Sequence, residues 1–192
     1  MAITILWASP DTDGLTASAK RSILTGIQSA GGTAIEIHLN RKNIKACLAC
    51  GKGGYGVCRS EGRCILNDDF SQLYDACCSA EALVFVSPVY WHDMSENFKS
   101  FLDRLRRCET SKNGYLKEKR YVAVACAGGY GLGVTTCLDR METTLGHMGL
   151  RALDRIPVTR YNRDYMLPAL VEAGRVLATQ HSAFQFDAFH FW

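Results

Sequence analysis

Cys47, Cys50, Cys58 and Cys64 form the densest set of reactive side chains in the sequence, with two, seven and five residues between successive thiols. Thiolates at this density hold thiophilic metals, exchange as redox-active thiols or remain free. Four thiolates suffice for a cubane iron-sulfur cluster. Zinc accepts the same ligands, but structural zinc sites usually pair two short Cys-x-x-Cys knuckles, and here the second pair is five residues apart. On the residues alone, iron, zinc and no metal all stay open. Glycines at 51, 53, 54 and 56 would let the backbone fold round a guest, and Lys52, Arg59 and Arg63 would offset the charge of a tetrathiolate site. No hydrophobic periodicity runs through the stretch, which predicts a loop rather than a helix or strand.

Three other stretches carry residue types suited to a ligand. Residues 9–16 offer serine and threonine hydroxyls and a glycine, Gly14, just ahead of a helical pattern. Free amides and the dipole of a helix N-terminus favour a phosphate there, although hydroxyls before a helix also serve as ordinary caps. Asp11 is left out of this set, because a carboxylate beside a phosphate is repelled unless it turns outward. Residues 87–95 include Tyr90 and Trp91, flat groups that can line a planar ring or simply pack on their own surface. His92 in that stretch could meet a ring or a substrate, with surface exposure the expected state. Residues 128–133 hold four glycines, among them Gly128, Gly129 and Gly131. They make either a turn or a backbone that a ring can approach closely.

These stretches need elements to hold them. A short apolar β-branched run predicts a strand over residues 1–8, alternation of Ile35, Ile37 and Leu39 with polar residues predicts one over 33–39, and further strands are read over 82–86, 120–127 and 150–158. Helical spacing appears over 15–30, with Leu15, Ala19, Ile23 and Ile27. It recurs over a segment capped by residues 67–69 and carrying Phe70, Leu73, Tyr74 and Cys77. Ser95 leads a helix with Phe98, Phe101, Leu102 and Leu105 on its buried face, and two more follow over 134–147 and 165–181, with Pro168 in the first turn of the last. Five strands alternating with five helices give an α/β domain with a parallel sheet covered on both faces. In such a sheet ligands bind at the carboxyl ends of the strands, where three candidate loops fall together.

Composition narrows the classes. The 192 residues suit one domain, spanning 1–192, and the net charge of +3 with 47% hydrophobic residues argues against disorder and against nucleic acid as a partner. No stretch has the length of a membrane span, and the N-terminus lacks the pattern of a secretory signal, so a cytoplasmic protein with reduced thiols is expected. Cys77, Cys78, Cys108, Cys126 and Cys137 lie in helical or strand patterns and read as small core residues. The aromatic tail over 184–192 is too apolar for a frayed end and is expected to pack on its own domain or across a subunit interface.

The motifs Ser9-Pro-Asp-Thr-Asp-Gly-Leu-Thr16, Cys47-x-x-Cys50, Cys64-Ile-Leu-Asn-Asp68-Asp69-Phe70, Ser87-Pro-Val-Tyr90, Ser95-Glu-x-Phe-Lys99-x-Phe-Leu-Asp103-Arg104 and Ala127-Gly-Gly together resemble the NADPH-dependent FMN reductases and, more closely, the iron-sulfur flavoproteins. The resemblance runs over roughly residues 1–150. It implies a flavodoxin-like doubly wound fold, with a five-stranded parallel sheet and the cysteine loop inserted after the second strand. It also implies bound FMN and a homodimer or homotetramer in which subunits complete each other's flavin sites. Ser9, Asp13, Gly14, Leu15 and Thr16 resemble the FMN phosphate loop, Pro88 to Trp91 the segment along the isoalloxazine, and Gly128, Gly129 and Gly131 the loop at its other edge. Iron-sulfur flavoproteins hold a 4Fe-4S cluster through thiols whose first three members are two residues apart. Here Gly53 stands at the third place and the thiol comes later, at Cys58.

The function implied is that of a flavin-dependent oxidoreductase in which a cluster passes electrons to or from FMN. NAD(P)H or a ferredoxin-like protein would donate, and a quinone, flavin or oxygen species would accept. The alternatives are a cluster-free NAD(P)H-dependent FMN or quinone reductase, a non-catalytic electron carrier, and a zinc-stabilised binding module.

Overall fold

The computed structural model describes residues 1–110 and 114–179. Its sheet contains β1 (Ala2–Trp7), β2 (Thr33–His38), β3 (Ala82–Tyr90), β4 (Asp93–Met94), β5 (Arg120–Ala127) and β6 (Arg151–Thr159), and the helices are α1 (Leu15–Ser29), α2 (Val57–Glu61), α3 (Phe70–Ser79), α4 (Glu96–Glu109), α5 (Val134–His147) and α6 (Arg163–Thr179). The strands run in the order β2-β1-β3-β5-β6, all parallel, with β4 antiparallel on the end of β3. Strand order reverses between β1 and β3, and this reversal makes the crevice at the carboxyl edge.

Side chains alternate across the sheet. Ile3, Ile5, Trp7, Val84 and Val124 join α1 and α6 in one apolar layer, while Leu6, Ala8, Phe85 and Ala125 join α3, α4 and α5 in the other. The α1–α6 contact depends on two glycines. A Cβ on Gly26 would stand 1.8 Å from the Val171 carbonyl oxygen, and one on Gly174 would stand 2.3 Å from that of Ile23.

The sheet has six strands rather than the five expected. Sequence reasoning ends the third strand at Val86 because Ser87-Pro88 reads as a stop. β1 pairs with β3 only as far as Trp7↔Val86, whereas β5 continues to Pro88↔Cys126. Pro88 therefore sits where one flank of β3 has no neighbouring strand, and its missing N–H breaks no ladder bond. β3 then turns back at Trp91 and His92, and Tyr90↔Asp93 and Val89↔Met94 pair as a hairpin.

Other boundaries also differ. The cysteine stretch is not wholly a loop, since it contains a 3-10 turn at Lys52–Gly54 and the short helix α2. Pro168 lies inside α6 rather than in its first turn, because that helix begins at Arg163. Asp69 holds the N-cap position of α3 without a side-chain cap, and the Asp68 carboxylate accepts the Phe70 N–H instead. Residues 180–181, which the sequence pattern assigns to the last helix, and the aromatic tail over 184–192 lie outside the described residues. Among the described residues no helix is long and apolar enough to cross a membrane.

Candidate functional site

β1 stops at Trp7, and the Ala8 N–H, bonded to the Val86 carbonyl at 3.0 Å, anchors the start of the first loop beside β3. Ser9 and Thr16 are buried, and Gly14 is the N-cap of α1 with no side chain capping the helix. The first-turn amides are thus left to whatever anion enters the loop. Asp13 is almost fully exposed, and its carboxylate meets Arg21 at 3.3 Å. Leu15 is half-buried at the first position of α1. Asp11 is exposed, and its carboxylate bends back to the loop, accepting the Asp13 N–H at 2.8 Å and lying 2.5 Å from where a Cβ on Gly14 would stand. A side chain at position 14 would therefore collide with it. Behind the loop, the His38 ring stacks on Trp7 at 3.8 Å, and its Nε2 lies 2.8 Å from the Ser9 carbonyl oxygen.

The hairpin that ends β3 forms the second wall. Trp91 and His92 both have positive φ, 47° and 66°, the backbone of a two-residue hairpin turn that glycine and asparagine normally occupy. A bulky L-residue in that conformation costs about 1–2 kcal/mol. Trp91 is nevertheless 96% exposed, so its own packing does not compensate the strain. Such strain clusters at ligand clamps. An ion pair between Asp93 and Arg140 fastens the hairpin to α5.

The glycine loop after β5 forms the third wall, and its glycines differ in purpose. A Cβ on Gly133, where φ is +83°, would come within 2.7 Å of the His92 Cα, so this glycine lets the loop close on the hairpin. A Cβ on Gly128 or Gly129 would meet nothing within 4 Å. No crowding within the chain requires glycine there, and what their bare backbone provides is room. Val89, Trp91, His92, Ala127, Gly128, Gly129, Tyr130, Gly131 and Leu132 line an open groove of about 320 Å³, within the range of small-molecule sites. Pro88 and Tyr90 belong to the strand beside it, and the phosphate-loop residues lie at the same sheet edge outside this lining.

The cysteine segment lies after β2 and is closed at a neck. The Asn43 N–H donates to the Asp69 carboxylate and the Asp69 N–H to the Asn43 carbonyl, while the Lys45 N–H donates to Asp68. Arg104, on the buried face of α4, completes the neck. Its guanidinium forks onto the two Asp68 oxygens at 2.6 and 2.9 Å, donates to the Lys45 carbonyl and stacks on Phe70 at 4.2 Å. The side chains of this ion pair are 1% and 0% exposed. Burial works against the Asp68 charge, yet Arg104 and the Lys45 and Phe70 amides outweigh it and hold the carboxyl below its ordinary value.

Cys47, Cys50, Cys58 and Cys64 all line one cavity of about 20 Å³, with Leu48, Ile65, Leu66, Arg104 and Arg107 completing its wall. The Ala49 N–H donates to the Cys47 sulfur at 3.4 Å, and the Gly56 backbone approaches the Cys50 sulfur so closely that a Cβ there would stand 2.8 Å from it. Arg107 donates to the Gly54 carbonyl and lies over the Tyr55 ring at 4.7 Å, with Arg59 at 5.2 Å from the same ring. Arg63 is turned to Glu61 instead. Among the described residues no three Cys, His, Asp or Glu side chains stand ready-made round a single metal position.

The remaining cysteines behave as core residues. Cys77, Cys108, Cys126 and Cys137 are buried and Cys78 half-buried. Desolvation pushes the Cys108, Cys126 and Cys137 thiols up to about 12, so they stay protonated and unreactive near neutral pH. Sequence reasoning passed over Arg104 and Arg107 at the cysteine cavity and His38 behind the first loop. Arg104 was legible as a lone cation among Phe98, Phe101, Leu102 and Leu105, whereas nothing local marks His38.

The residues fit the two groups that the resemblance implies. For FMN, the uncapped α1 N-terminus suits a phosphate and the open glycines leave space for a ring. For a cluster, the donor set is four soft thiols with a cationic, partly apolar wall. The cavity has the volume of about one water, so a larger guest requires the glycine-rich segment to open.

The comparisons with known proteins agree with this geometry. The model of the family described as NADPH-dependent FMN reductase matches residues 1–160. An iron-sulfur flavoprotein of Archaeoglobus fulgidus is 28% identical over 97 residues, 50% of this chain and 42% of the relative. One of Methanocaldococcus jannaschii is 30% identical over 98 residues, 51% of this chain and 48% of the relative. The aligned region thus spans less than half the length of these relatives. An NAD(P)H:quinone oxidoreductase from Methanothermobacter marburgensis superposes with a TM-score of 0.67 at 22% identity, covering 95% of this chain and 99% of that one. A flavodoxin from the domain Archaea does so at 0.61 and 15% identity, covering 93% and 96%. At these identities the superpositions establish the flavodoxin-like fold.

Proposed function

The chain belongs to the NADPH-dependent FMN reductase family, and from that premise we propose an FMN-dependent oxidoreductase whose Cys47, Cys50, Cys58 and Cys64 hold an iron-sulfur cluster that relays electrons to or from the flavin. One observation carries the cluster half of this reading: four cysteines spread over eighteen residues line a single cavity.

When bound, FMN supplies hydride and single-electron transfer. The chain supplies the site. The α1 amides next to Gly14 and the buried Ser9 and Thr16 would hold the FMN phosphate, with the exposed Asp13 at the solvent edge. Pro88, Val89, Tyr90, Trp91 and the backbone of Gly128, Gly129 and Gly131 would hold its ring, the glycine amides serving as donors. The strained hairpin holds Trp91 at the groove mouth, where it sheds water from a bound ring. A nicotinamide cofactor or a small acceptor such as a quinone would stack in the same groove. A ferredoxin-like donor would instead meet the cysteine segment, and a homodimer or homotetramer would cover the groove from outside.

A cluster-free NAD(P)H-dependent FMN or quinone reductase is the second reading, favoured by the small closed volume of the cysteine cavity. Visible absorption of anaerobically purified protein separates the two. Flavin bands with a broad shoulder bleached by dithionite, and about four irons per chain, are expected. Flavin bands alone would leave the second reading. Cys58→Ala should lose the shoulder and the iron while keeping the flavin, and retention of both would remove Cys58 from the ligand set.

A further inference from the structure

An arginine with 1% of its surface exposed, on a buried helix face made of Phe98, Phe101, Leu102, Leu105, Cys108 and, at its far end, Glu109, calls for an explanation in terms of what its charge and donors do. The guanidinium has five N–H donors in a fixed plane. Nη1 serves Asp68 and the Lys45 carbonyl, and Nη2 serves Asp68. Nε is buried and has no acceptor. Arg104 also lines the cysteine cavity, with Cys64 next to the guanidinium. A clamp for the neck alone would require only the fork onto Asp68. The unpaired donor faces a different need.

We propose that Arg104 is the positioning residue of the cysteine site, its guanidinium holding Cys64 as a metal-bound thiolate and setting the ease with which the loaded site accepts an electron. This deepens the cluster reading and rests on it. The geometry explains the ranking of its donors. Asp68 fixes the plane of the guanidinium through two bonds, Phe70 covers one of its faces, and Nε is left without an acceptor in a residue that lines the same cavity as Cys64. A thiolate is a better acceptor than a thiol, so the unpaired Nε–H is satisfied when Cys64 is deprotonated by a metal. An N–H bond to the ligand sulfur draws negative charge off it and favours the more negative, reduced form of the centre.

The test compares full-length wild type with Arg104→Lys, which keeps the charge but loses the planar Nε–H. It adds Arg104→Gln combined with Asp68→Asn, which removes both buried charges together and so guards against an unfolded chain. Iron and sulfide content, the cobalt(II)-thiolate charge-transfer band of the metal-free chain, and the midpoint potential by redox titration are read for each. Arg104→Lys should still bind iron and cobalt(II), with the reduction equilibrium about tenfold less favourable, about 59 mV lower for one electron. The double variant should move in the same direction. Variants that bind iron with an unchanged potential would overturn the inference and leave the cluster reading standing. A wild type that takes up cobalt(II) through the thiols but no iron would sink the cluster reading. In that case an altered charge-transfer band in Arg104→Lys would support the positioning role, and an unaltered band would overturn it. A wild type that takes up neither metal overturns both.

Discussion

Replacing Asp68 with alanine removes the only counter-charge that forks onto Arg104 among the described residues, along with the acceptor for the Lys45 and Phe70 amides. The guanidinium left behind cannot reach water without opening α4 from Phe70 and the neck. Removing one partner of a buried pair typically costs about 3–5 kcal/mol, because the remaining charge is desolvated and unpaired. For a chain of this size each kcal/mol shifts Tm by about 2–4 °C, so a fall of roughly 6–20 °C is expected in a circular-dichroism melt at pH 7. Limited proteolysis should cut first between residues 45 and 68. Acid titration gives an independent check. The folded Asp68 carboxyl lies below its ordinary value of 3.8, so its stabilisation is complete above that pH and disappears as pH falls through the lower folded value. The stability gap between wild type and Asp68→Asn should therefore be widest near neutrality and narrow in this acid range. A loss below about 1 kcal/mol for Asp68→Ala, or a gap independent of pH, would refute the account of the neck.

Three further outcomes follow from individual contacts. Gly129→Leu places a side chain where nothing in the protein stands, so stability should change by less than about 0.5 kcal/mol. FMN affinity, read by flavin fluorescence, should fall at least about tenfold. Gly26→Ala forces a methyl into the Val171 carbonyl and should destabilise by about 1–3 kcal/mol, measured by urea unfolding, unless α6 can slide away. Asp11→Asn removes a negative charge from the phosphate loop and should tighten FMN binding about fivefold at low salt, with the gain shrinking as ionic strength rises.

The alternating framework was readable because the central strands β1, β3 and β5 are apolar runs, the edge strand β2 alternates apolar and polar residues, and each long helix carries a 3.6-residue stripe. The helix over 134–147 has the same limits in the structure as in the sequence pattern. Misreadings arose where tertiary context outweighs a local signal. Pro88 ends a strand in isolation but not on a flank of β3 where no strand pairs, and the turn at Trp91 and His92 lacks the glycine or asparagine that marks such turns. Pattern alone placed the three ligand loops at one sheet edge. It did not separate Gly128 and Gly129, which leave space, from Gly133, which permits a close approach. The partnership of Asp68 with Arg104 joins residues 36 positions apart and has no local signature.

The closed neck of the cysteine segment bears on how such a segment can vary. Because residues 43–45 and 68–69 are bonded to one another, the chain between them leaves the sheet and returns to nearly the same point. Doubling the length of a loop with fixed ends costs only about 0.6 kcal/mol in closure entropy. Residues can therefore be inserted or lost between the thiols without the strands or the groove beside Trp91 registering the change.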